Sequence, residues 1–135
     1  MIDVKTSQSY QEPQSTESSL VQSDTAGRHF IVDFWGAHYL ENVDVLEQAL
    51  TDAASVAGAV LLHIHLHKFT QGGGVTGVAL LAESHISVHT WPERDYAAFD
   101  VFMCGDAKPQ DAVALLERVF KPTKTKISEI LRGKE

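Results

Sequence analysis

The 135-residue chain has a formal net charge of −7, 44% hydrophobic residues and one cysteine, a composition typical of one globular domain. The acidic balance argues against a nucleic-acid partner, and the single cysteine, Cys104, excludes an intramolecular disulfide, so we predict a reducing, cytoplasmic setting. No apolar run approaches the ~20 residues of a membrane-spanning helix, so we predict no transmembrane helix and no membrane partner. The N-terminus has no basic-then-apolar signal pattern, so we expect no export.

The first 26 residues are mostly Ser, Gln, Thr, Glu and Asp. Such a polar segment has too few apolar side chains to pack against a core, so residues 1–26 are predicted to form a disordered leader. The remaining residues, 27–135, are predicted to form a single domain.

Strand one is predicted over residues 28–36, which are rich in aromatic and β-branched side chains and end at a glycine. The first helix is predicted to begin after Asn42, whose side chain suits a helix N-cap, and to end at Gly58. Its apolar residues recur at helical spacing: Leu46, Ala49, Leu50, Ala53, Ala54 and Ala57. The many alanines predict a helix that lies close against a sheet.

Four more strands are predicted in succession, over residues 59–69, 75–82, 83–93 and 97–104. Three consecutive glycines at 72–74 separate the first two of these strands. Because this run lacks the lysine and the spacing of a phosphate-binding loop, it is interpreted as a hairpin turn.

A second helix is predicted to begin at Pro109 and to stop before Pro122, and an edge strand follows over residues 123–130. The order β-α-β-β-β-β-α-β predicts an α+β fold, a two-layer sandwich with two helices on one face of a mostly antiparallel sheet. The other face would carry imidazoles, Ser87, Trp91 and Phe102, a mixture ill suited to bare solvent. We therefore predict that a second copy covers it, with the two sheets packing together in a homodimer.

Three histidines, His63, His65 and His67, alternate with apolar residues, so they are predicted to share one face of a strand. Such a row is able to bind a metal, but it contains no acidic residue. Sheet packing or the lining of a substrate pocket is the favoured interpretation, and we predict no metal site. A histidine-rich metal-binding protein remains as an alternative.

Two further residues, Cys104 and Ser84, are also considered by residue type and local pattern alone. A lone cysteine in an apolar strand is, by residue type, more often a small core residue than a reactive one. Serine and histidine occur close together from Ser84 onward, which is compatible with a hydrolase. However, no G-x-S-x-G motif is present, and Ser84 precedes a predicted strand rather than a helix.

Residues 83–93, Glu-Ser-His-Ile-Ser-Val-His-Thr-Trp-Pro-Glu, concentrate carboxylates, hydroxyls and imidazoles between two apolar runs. This stretch occurs with Gly-Val-Thr-Gly at 74–77, Tyr-Ala-Ala at 96–98, Asp-Val-Phe at 100–102 and Cys-Gly-Asp at 104–106. Together these motifs resemble the short prokaryotic S-adenosylmethionine decarboxylase proenzymes. The resemblance runs from about residue 28 to the C-terminus, and so long a block with conserved spacing is highly specific.

The resemblance implies autocatalytic cleavage between Glu83 and Ser84, which would give a β chain of residues 1–83 and an α chain of residues 84–135. Ser84 would become a covalent pyruvoyl cofactor that forms a Schiff base with S-adenosylmethionine. Loss of carbon dioxide would then supply the aminopropyl donor for spermidine biosynthesis.

The resemblance also implies roles for individual residues. His89 is expected to be the processing base and Cys104 the proton donor in turnover, while Thr76 is expected to support processing. The expected substrate-binding residues are Glu93 for the ribose hydroxyls, Trp91 for the sulfonium and Phe69 for the adenine.

The spacing between Ser84 and His89 raises a geometric question. The two residues are five positions apart, an odd number, which in a regular strand places their side chains on opposite faces. The processing role of His89 therefore predicts that Ser84 lies just before the strand or that a β-bulge intervenes.

Two alternatives share the motif at residues 83–93. A relative that acts on arginine or ornithine would keep the pyruvoyl machinery and change only the nucleoside-facing residues. An unprocessed homologue that serves as a binding partner would keep the fold alone. Retention of Glu83, Ser84, His89 and Cys104 disfavours the second alternative.

Overall fold

The computed structural model describes residues 25–70 and 72–134. Within these ranges, six strands and two α-helices follow one another in the predicted order. Their bounds are β1 (Gly27–Trp35), α1 (Val43–Ala57), β2 (Leu61–Lys68), β3 (Val75–Leu81), β4 (Ser84–Trp91), β5 (Tyr96–Met103), α2 (Pro109–Phe120) and β6 (Lys124–Arg132), with a 3-10 turn (Pro92–Arg94) between β4 and β5.

The strands form one six-stranded sheet in the order β2-β3-β4-β5-β1-β6. Every pair of neighbouring strands is antiparallel. The prediction of a mostly antiparallel sheet is thus confirmed, and β6 lies at an edge as predicted.

Both helices lie on the same face of the sheet and have the caps that their sequences predict. The Asn42 side chain accepts a hydrogen bond from the Val45 amide at 3.1 Å, and Gly58 ends α1 with a φ of 78°. Pro109 occupies the first turn of α2, where no amide hydrogen is needed. The core between helices and sheet contains, among others, Phe34, Leu46, Phe99, Leu116 and Phe120, all at most 2% exposed. The two-layer sandwich is confirmed.

The sheet face turned away from the helices, here called the open face, carries the alternate residues of each strand. The strand pairing brings onto it Trp35 with Tyr96, Ser87 with Asp100 and His85 with Phe102. Trp91 and Ile31 also lie on this face and are 39% and 42% exposed. The mixed face predicted from the sequence is present, and its cover by a second copy stays a prediction.

Among the described helices, none combines the length and apolar character needed to cross a membrane. The predicted disordered leader, residues 1–26, lies outside the described residues except for its last two. Of these, Ala26 donates its backbone amide hydrogen to the carbonyl oxygen of Arg132 at 2.7 Å.

Candidate functional site

A tight hairpin joins β3 to β4 at the predicted cleavage position. Leu81 pairs with Ser84, so Ala82 and Glu83 form a two-residue loop. Glu83 has a φ of 65°, in the left-handed region that glycine or asparagine favours and that costs other residues about 1–3 kcal/mol. The backbone strain therefore lies directly beside the bond between Glu83 and Ser84.

The thiol of Cys104 lies against this loop. Cys104 follows the end of β5, and its Sγ donates to the carbonyl oxygen of Glu83 at 3.4 Å. The Glu83 carboxylate oxygen Oε1 lies 3.8 Å from the same sulfur. Two residues that are 21 positions apart in sequence, the predicted proton donor and the predicted cleavage site, are thus in contact.

A second predicted pair, Thr76 and His89, meets on the open face. The two residues are register partners on β3 and β4, and Thr76 Oγ1 lies 3.2 Å from His89 Nδ1. A hydroxyl within hydrogen-bonding distance of a ring nitrogen restricts the orientation of the imidazole ring.

Thr90 holds the backbone around this pair in place. Its side chain is buried, and its Oγ1 accepts from the Val75 amide at 2.8 Å and donates to the carbonyl of Leu40 at 2.8 Å. A Cβ at Gly74 would overlap the Thr90 carbonyl oxygen, so glycine is required for this approach. Sequence reasoning assigned no role to Thr90, because a buried threonine cannot be recognised from its local pattern.

The predicted substrate-binding residues lie at the same end of the sheet as His89. Trp91 ends β4, and its ring is 5.2 Å from that of Tyr96 and 6.3 Å from that of His89. Glu93 lies in the 3-10 turn that follows. Phe69, at the end of β2, is 51% exposed, and its ring contacts His67 at 4.8 Å.

The predicted site residues therefore form two groups at opposite ends of the sheet. Glu83, Ser84 and Cys104 mark one end, here called the Ser84 end. The other end, here called the Trp91 end, carries five residues: Phe69, Thr76, His89, Trp91 and Glu93.

The two ends are separated by the length of β4. The strand begins at Ser84 itself, and its register with β3 and β5 is uninterrupted. The prediction that Ser84 precedes the strand or that a bulge intervenes is wrong, and the regular strand counts against a processing role of His89 on the Ser84 of its own chain. Because a strand rises about 3.4 Å per residue, Ser84 and His89 of one chain are about 17 Å apart, with side chains on opposite faces.

A hydrogen-bonded network centred on Asp100 lies on the open face near the Ser84 end. The Asp100 carboxylate accepts from Ser87 Oγ at 2.8 Å and from His85 Nε2 at 3.0 Å, and it contacts His29 Nε2. Burial alone would raise the pKa of Asp100, but the hydrogen bonds from His29, Ser87 and His85 outweigh it and lower the pKa below the usual value. Sequence reasoning missed this network, since its members come from three strands whose register is not evident from the sequence.

The same network has the donor types of a metal site. One nitrogen of His29, one of His85 and one oxygen of Asp100 lie within 4.8 Å of one another. Arg132, however, places its guanidinium nitrogen 2.9 Å from His29 Nδ1. A metal on Nε2 of a neutral imidazole leaves the proton on Nδ1, and arginine offers only donors to that proton. We therefore assign a hydrogen-bonded network to these residues.

The histidine row on β2 is exposed and lies on the open face as predicted. His63, His65 and His67 pair with Leu80, Val78 and Thr76 of β3. In the described part of the chain, the row does not belong to a group of donor atoms close enough to share a metal.

An aromatic cluster extends the Trp91 end toward β1. Tyr96 lies between Trp35 and Trp91, with ring centroids 5.7 and 5.2 Å away. Its hydroxyl donates to Asp33 Oδ1 at 2.5 Å. That hydrogen bond, together with burial and the charge of Asp33, raises the pKa of Tyr96 to about 12.

A cavity of about 400 Å³ lies at the Trp91 end, beside the 3-10 turn. It contains none of the predicted site residues, and its lining consists of Ala37, His38, Tyr39, Leu40, Glu41, Asn42, Pro92 and Asp95. The predicted site residues instead lie along the surface of the sheet and its loops, where His89, Trp91 and Phe69 are exposed.

Comparison with protein families gives a match over almost all of the described chain. The family model for S-adenosylmethionine decarboxylase matches residues 28–133. An S-adenosylmethionine decarboxylase proenzyme of Methanococcus maripaludis is 46% identical over 110 residues, covering 79% of this chain and 89% of the relative. The proenzyme of Thermomicrobium roseum is 39% identical over 108 residues, covering 79% of this chain and 93% of the relative.

A solved structure has a similar fold. The adenosylmethionine decarboxylase of Aquifex aeolicus superposes with a TM-score of 0.77 at 32% identity. The similarity covers 83% of this chain and 94% of the Aquifex chain. The relatives and the solved structure therefore match similar shares of this chain, 79% and 83%.

Proposed function

Because the chain belongs to the S-adenosylmethionine decarboxylase family, we propose that it decarboxylates S-adenosylmethionine after cleaving itself between Glu83 and Ser84. The observation that carries the proposal is the contact between Cys104 Sγ and the Glu83 carbonyl oxygen, 3.4 Å apart. The alternative substrates, arginine and ornithine, are disfavoured because the matching relatives are named for S-adenosylmethionine. The cytoplasmic location stays a prediction.

The surroundings of Ser84 fit its conversion to a pyruvoyl group. Ser84 begins β4 directly after a strained turn residue, and the carbonyl that its hydroxyl would attack already accepts from a thiol. When formed, the group supplies an electron sink for the loss of carbon dioxide from an amine-bearing substrate. Ser84 itself would provide the carbon atoms of the pyruvoyl group. The Cys104 thiol lies near this position, because it contacts the carbonyl oxygen of the preceding residue, Glu83.

Cleavage would proceed in two stages on the chain's own atoms. First, Ser84 Oγ attacks the Glu83 carbonyl carbon, the C–N bond breaks, and the hydroxyl proton passes to the freed amine, leaving an ester. The Cys104 thiol donates to the carbonyl oxygen while that oxygen gains negative charge. Second, a base removes the Ser84 Cα hydrogen while the bond between Ser84 Cβ and the ester oxygen breaks, so residue 83 leaves with a new C-terminal carboxylate. The dehydroalanine left at residue 84 takes up a proton on Cβ to become an imine, and water hydrolyses the imine to a ketone and ammonia.

The base and the proton donor have separate tasks. His89 is proposed to remove the Cα hydrogen of Ser84, with Thr76 orienting its ring through the 3.2 Å contact. In turnover, Cys104 is proposed to return a proton to the substrate carbon that has lost carbon dioxide. Glu93 would accept hydrogen bonds from the ribose hydroxyls, and the faces of Trp91 and Phe69 would meet the sulfonium and the adenine.

The separation of about 17 Å along β4 leads us to propose that His89 acts on the Ser84 of a second copy. Two sheets that pack by their open faces lie about 10 Å apart. A two-fold axis that runs across the strands, midway between the sheets, reverses the strand direction of the partner. The Ser84 end of each protomer would then face the Trp91 end of its partner, so the homodimer would have two complete sites.

The activity is tested by release of carbon dioxide from carboxyl-labelled substrates. We expect release from S-adenosylmethionine and none above background from arginine or ornithine. Turnover of either amino acid in preference to S-adenosylmethionine would contradict the proposed substrate. The Ser84→Ala variant is the matched control, because it keeps the fold and loses the precursor of the electron sink.

The two-copy site is tested by co-expressing the Ser84→Ala and His89→Ala chains with different tags. Neither variant alone is expected to cleave, because one lacks the nucleophile and the other lacks the base. In the mixed dimer, the His89→Ala chain should be cleaved by His89 of its partner. Recovery of mixed dimers in which both chains stay intact would contradict action between copies.

A further inference from the structure

Three side chains converge on the Asp100 carboxylate, and two of them belong to the first residues of the proposed α chain. His85 and Ser87 donate at 3.0 and 2.8 Å, and both lie on β4 within three residues of Ser84. The third donor, His29, comes from β1. Asp100 is therefore the point at which β5 is tied to the beginning of β4 by side chains.

The arrangement of protons in this network is determined by Arg132. An arginine can only donate, so His29 Nδ1 accepts its proton at 2.9 Å. The proton of His29 must then reside on Nε2, which faces Asp100. The carboxylate is thus an ionised acceptor for three donors, and charge-assisted hydrogen bonds of this kind are the stronger ones.

Cleavage at the proposed position would remove the covalent restraint on residue 84 and leave only noncovalent contacts. In the uncut chain, the two-residue loop of Ala82 and Glu83 joins Ser84 covalently to β3, opposite Leu81. Once the bond is cut, residue 84 becomes a chain terminus, and strand termini fray unless they are tied down. The side chain of the next residue, His85, is held to β5 by Asp100.

We propose that Asp100 is a positioning residue that anchors the new N-terminus of the α chain through His85 and Ser87 after the hairpin is cut. This inference rests on the proposed self-cleavage. Before cleavage the loop makes the anchor redundant, and after cleavage the anchor keeps residue 84 beside Cys104. A residue that only stabilises the sheet would matter equally in both states.

Amide hydrogen exchange at residues 85–87 separates these roles. Asp100→Asn is made in two backgrounds. One is the wild-type sequence, whose chain is expected to cleave itself, and the other is Ser84→Ala, whose chain is expected to stay uncut. In the cleaved protein we expect exchange at these amides to rise about tenfold or more, as expected for the loss of a hydrogen bond to a charged group. In the uncleaved protein we expect little change, and the extent of cleavage should be near that of the wild type while turnover falls.

Asp33→Asn is the matched control. Asp33 is also an open-face aspartate that accepts a side-chain hydrogen bond, but at the Trp91 end, so exchange at 85–87 should stay unchanged. If Asp100→Asn fails to fold, His85→Phe removes one donor and keeps a ring beside Phe102, whose centroid is 5.8 Å away. The same selective rise in the cleaved protein is expected for that variant.

The outcomes distinguish the anchor from the proposed function. If the wild type cleaves, but Asp100→Asn raises exchange at residues 85–87 equally in both backgrounds or in neither, the anchoring role of Asp100 alone is overturned. Absence of cleavage in the wild type, seen as one intact mass, would overturn the proposed function and the anchor with it.

Discussion

At the residue scale, the Asp33 and Tyr96 pair makes a direct electrostatic prediction. The raised pKa of Tyr96, about 12, reflects first the hydrogen bond to Asp33. Because this value exceeds the unfolded value of about 10, the pair contributes stability that is fully present below pH 10 and is lost as the pH rises through about 12. Asp33→Asn should move the phenolate titration of Tyr96 toward the ordinary range.

Ultraviolet titration of the folded protein checks this prediction. Tyr96→Phe should remove the step at high pH. A step that persists unchanged in Asp33→Asn would show that Asp33 is not its cause.

Cys104 supports a second prediction at this scale. Cys104→Ala should still cleave, with a rate within about tenfold of the wild type, because a thiol is a weak hydrogen-bond donor. Turnover should fall about 100-fold or more, as is usual when a general acid is removed. Intact mass measured over time and release of carbon dioxide give the two rates, and a Cys104→Ala protein that never cleaves would contradict this division of roles.

At the element scale, Thr90 joins β4 to β3 and to the segment before α1. In the uncleaved Ser84→Ala background, Thr90→Val leaves the Val75 amide without its acceptor, which should cost about 1–3 kcal/mol in the free energy of unfolding. Thr51→Val is the matched control, because its hydroxyl donates to the Glu47 carbonyl on the exposed side of a helix. Urea unfolding measures both, and equal losses would contradict the role assigned to Thr90.

The elements themselves were largely predictable from the sequence. The caps Asn42 and Gly58 and the alternation within β5 are local signals, so these elements lie within about two residues of their predicted bounds. The register between strands is a non-local property. For that reason the pairing of His29 with Phe102, and the network around Asp100 that depends on it, could not be deduced.

The candidate site was predictable as a set of residues but not as an arrangement. The odd spacing of Ser84 and His89 correctly indicated opposite faces, but the expected bulge is wrong because β4 is regular. The contact of Cys104 with Glu83 was accessible only through the family motif, since 21 residues separate the two. Because a regular strand holds Ser84 and His89 of one chain apart, we propose that a second copy supplies the His89 that acts on Ser84.

At the scale of the whole molecule, the open face should be the surface that joins two protomers. Leu80 lies on this face and is 41% exposed, so Leu80→Lys should convert the dimer to a monomer and slow cleavage together with it. Val56→Lys, at a 46% exposed position on α1, is the matched control and should change neither. Sedimentation and intact mass report the two properties, and a Leu80→Lys monomer that cleaves at the wild-type rate would contradict action between copies.

In the proposed reaction, the bond between Glu83 and Ser84 breaks and Ser84 loses its nitrogen. Intact mass of the purified wild-type protein, beside Ser84→Ala, tests it most directly. We expect two wild-type chains, residues 1–83 and 84–135, the second lighter by one ammonia than simple hydrolysis would give, and a single uncut chain for Ser84→Ala. A wild-type protein that stays intact, that is cut at another bond, or whose second chain begins with an unmodified serine would contradict it.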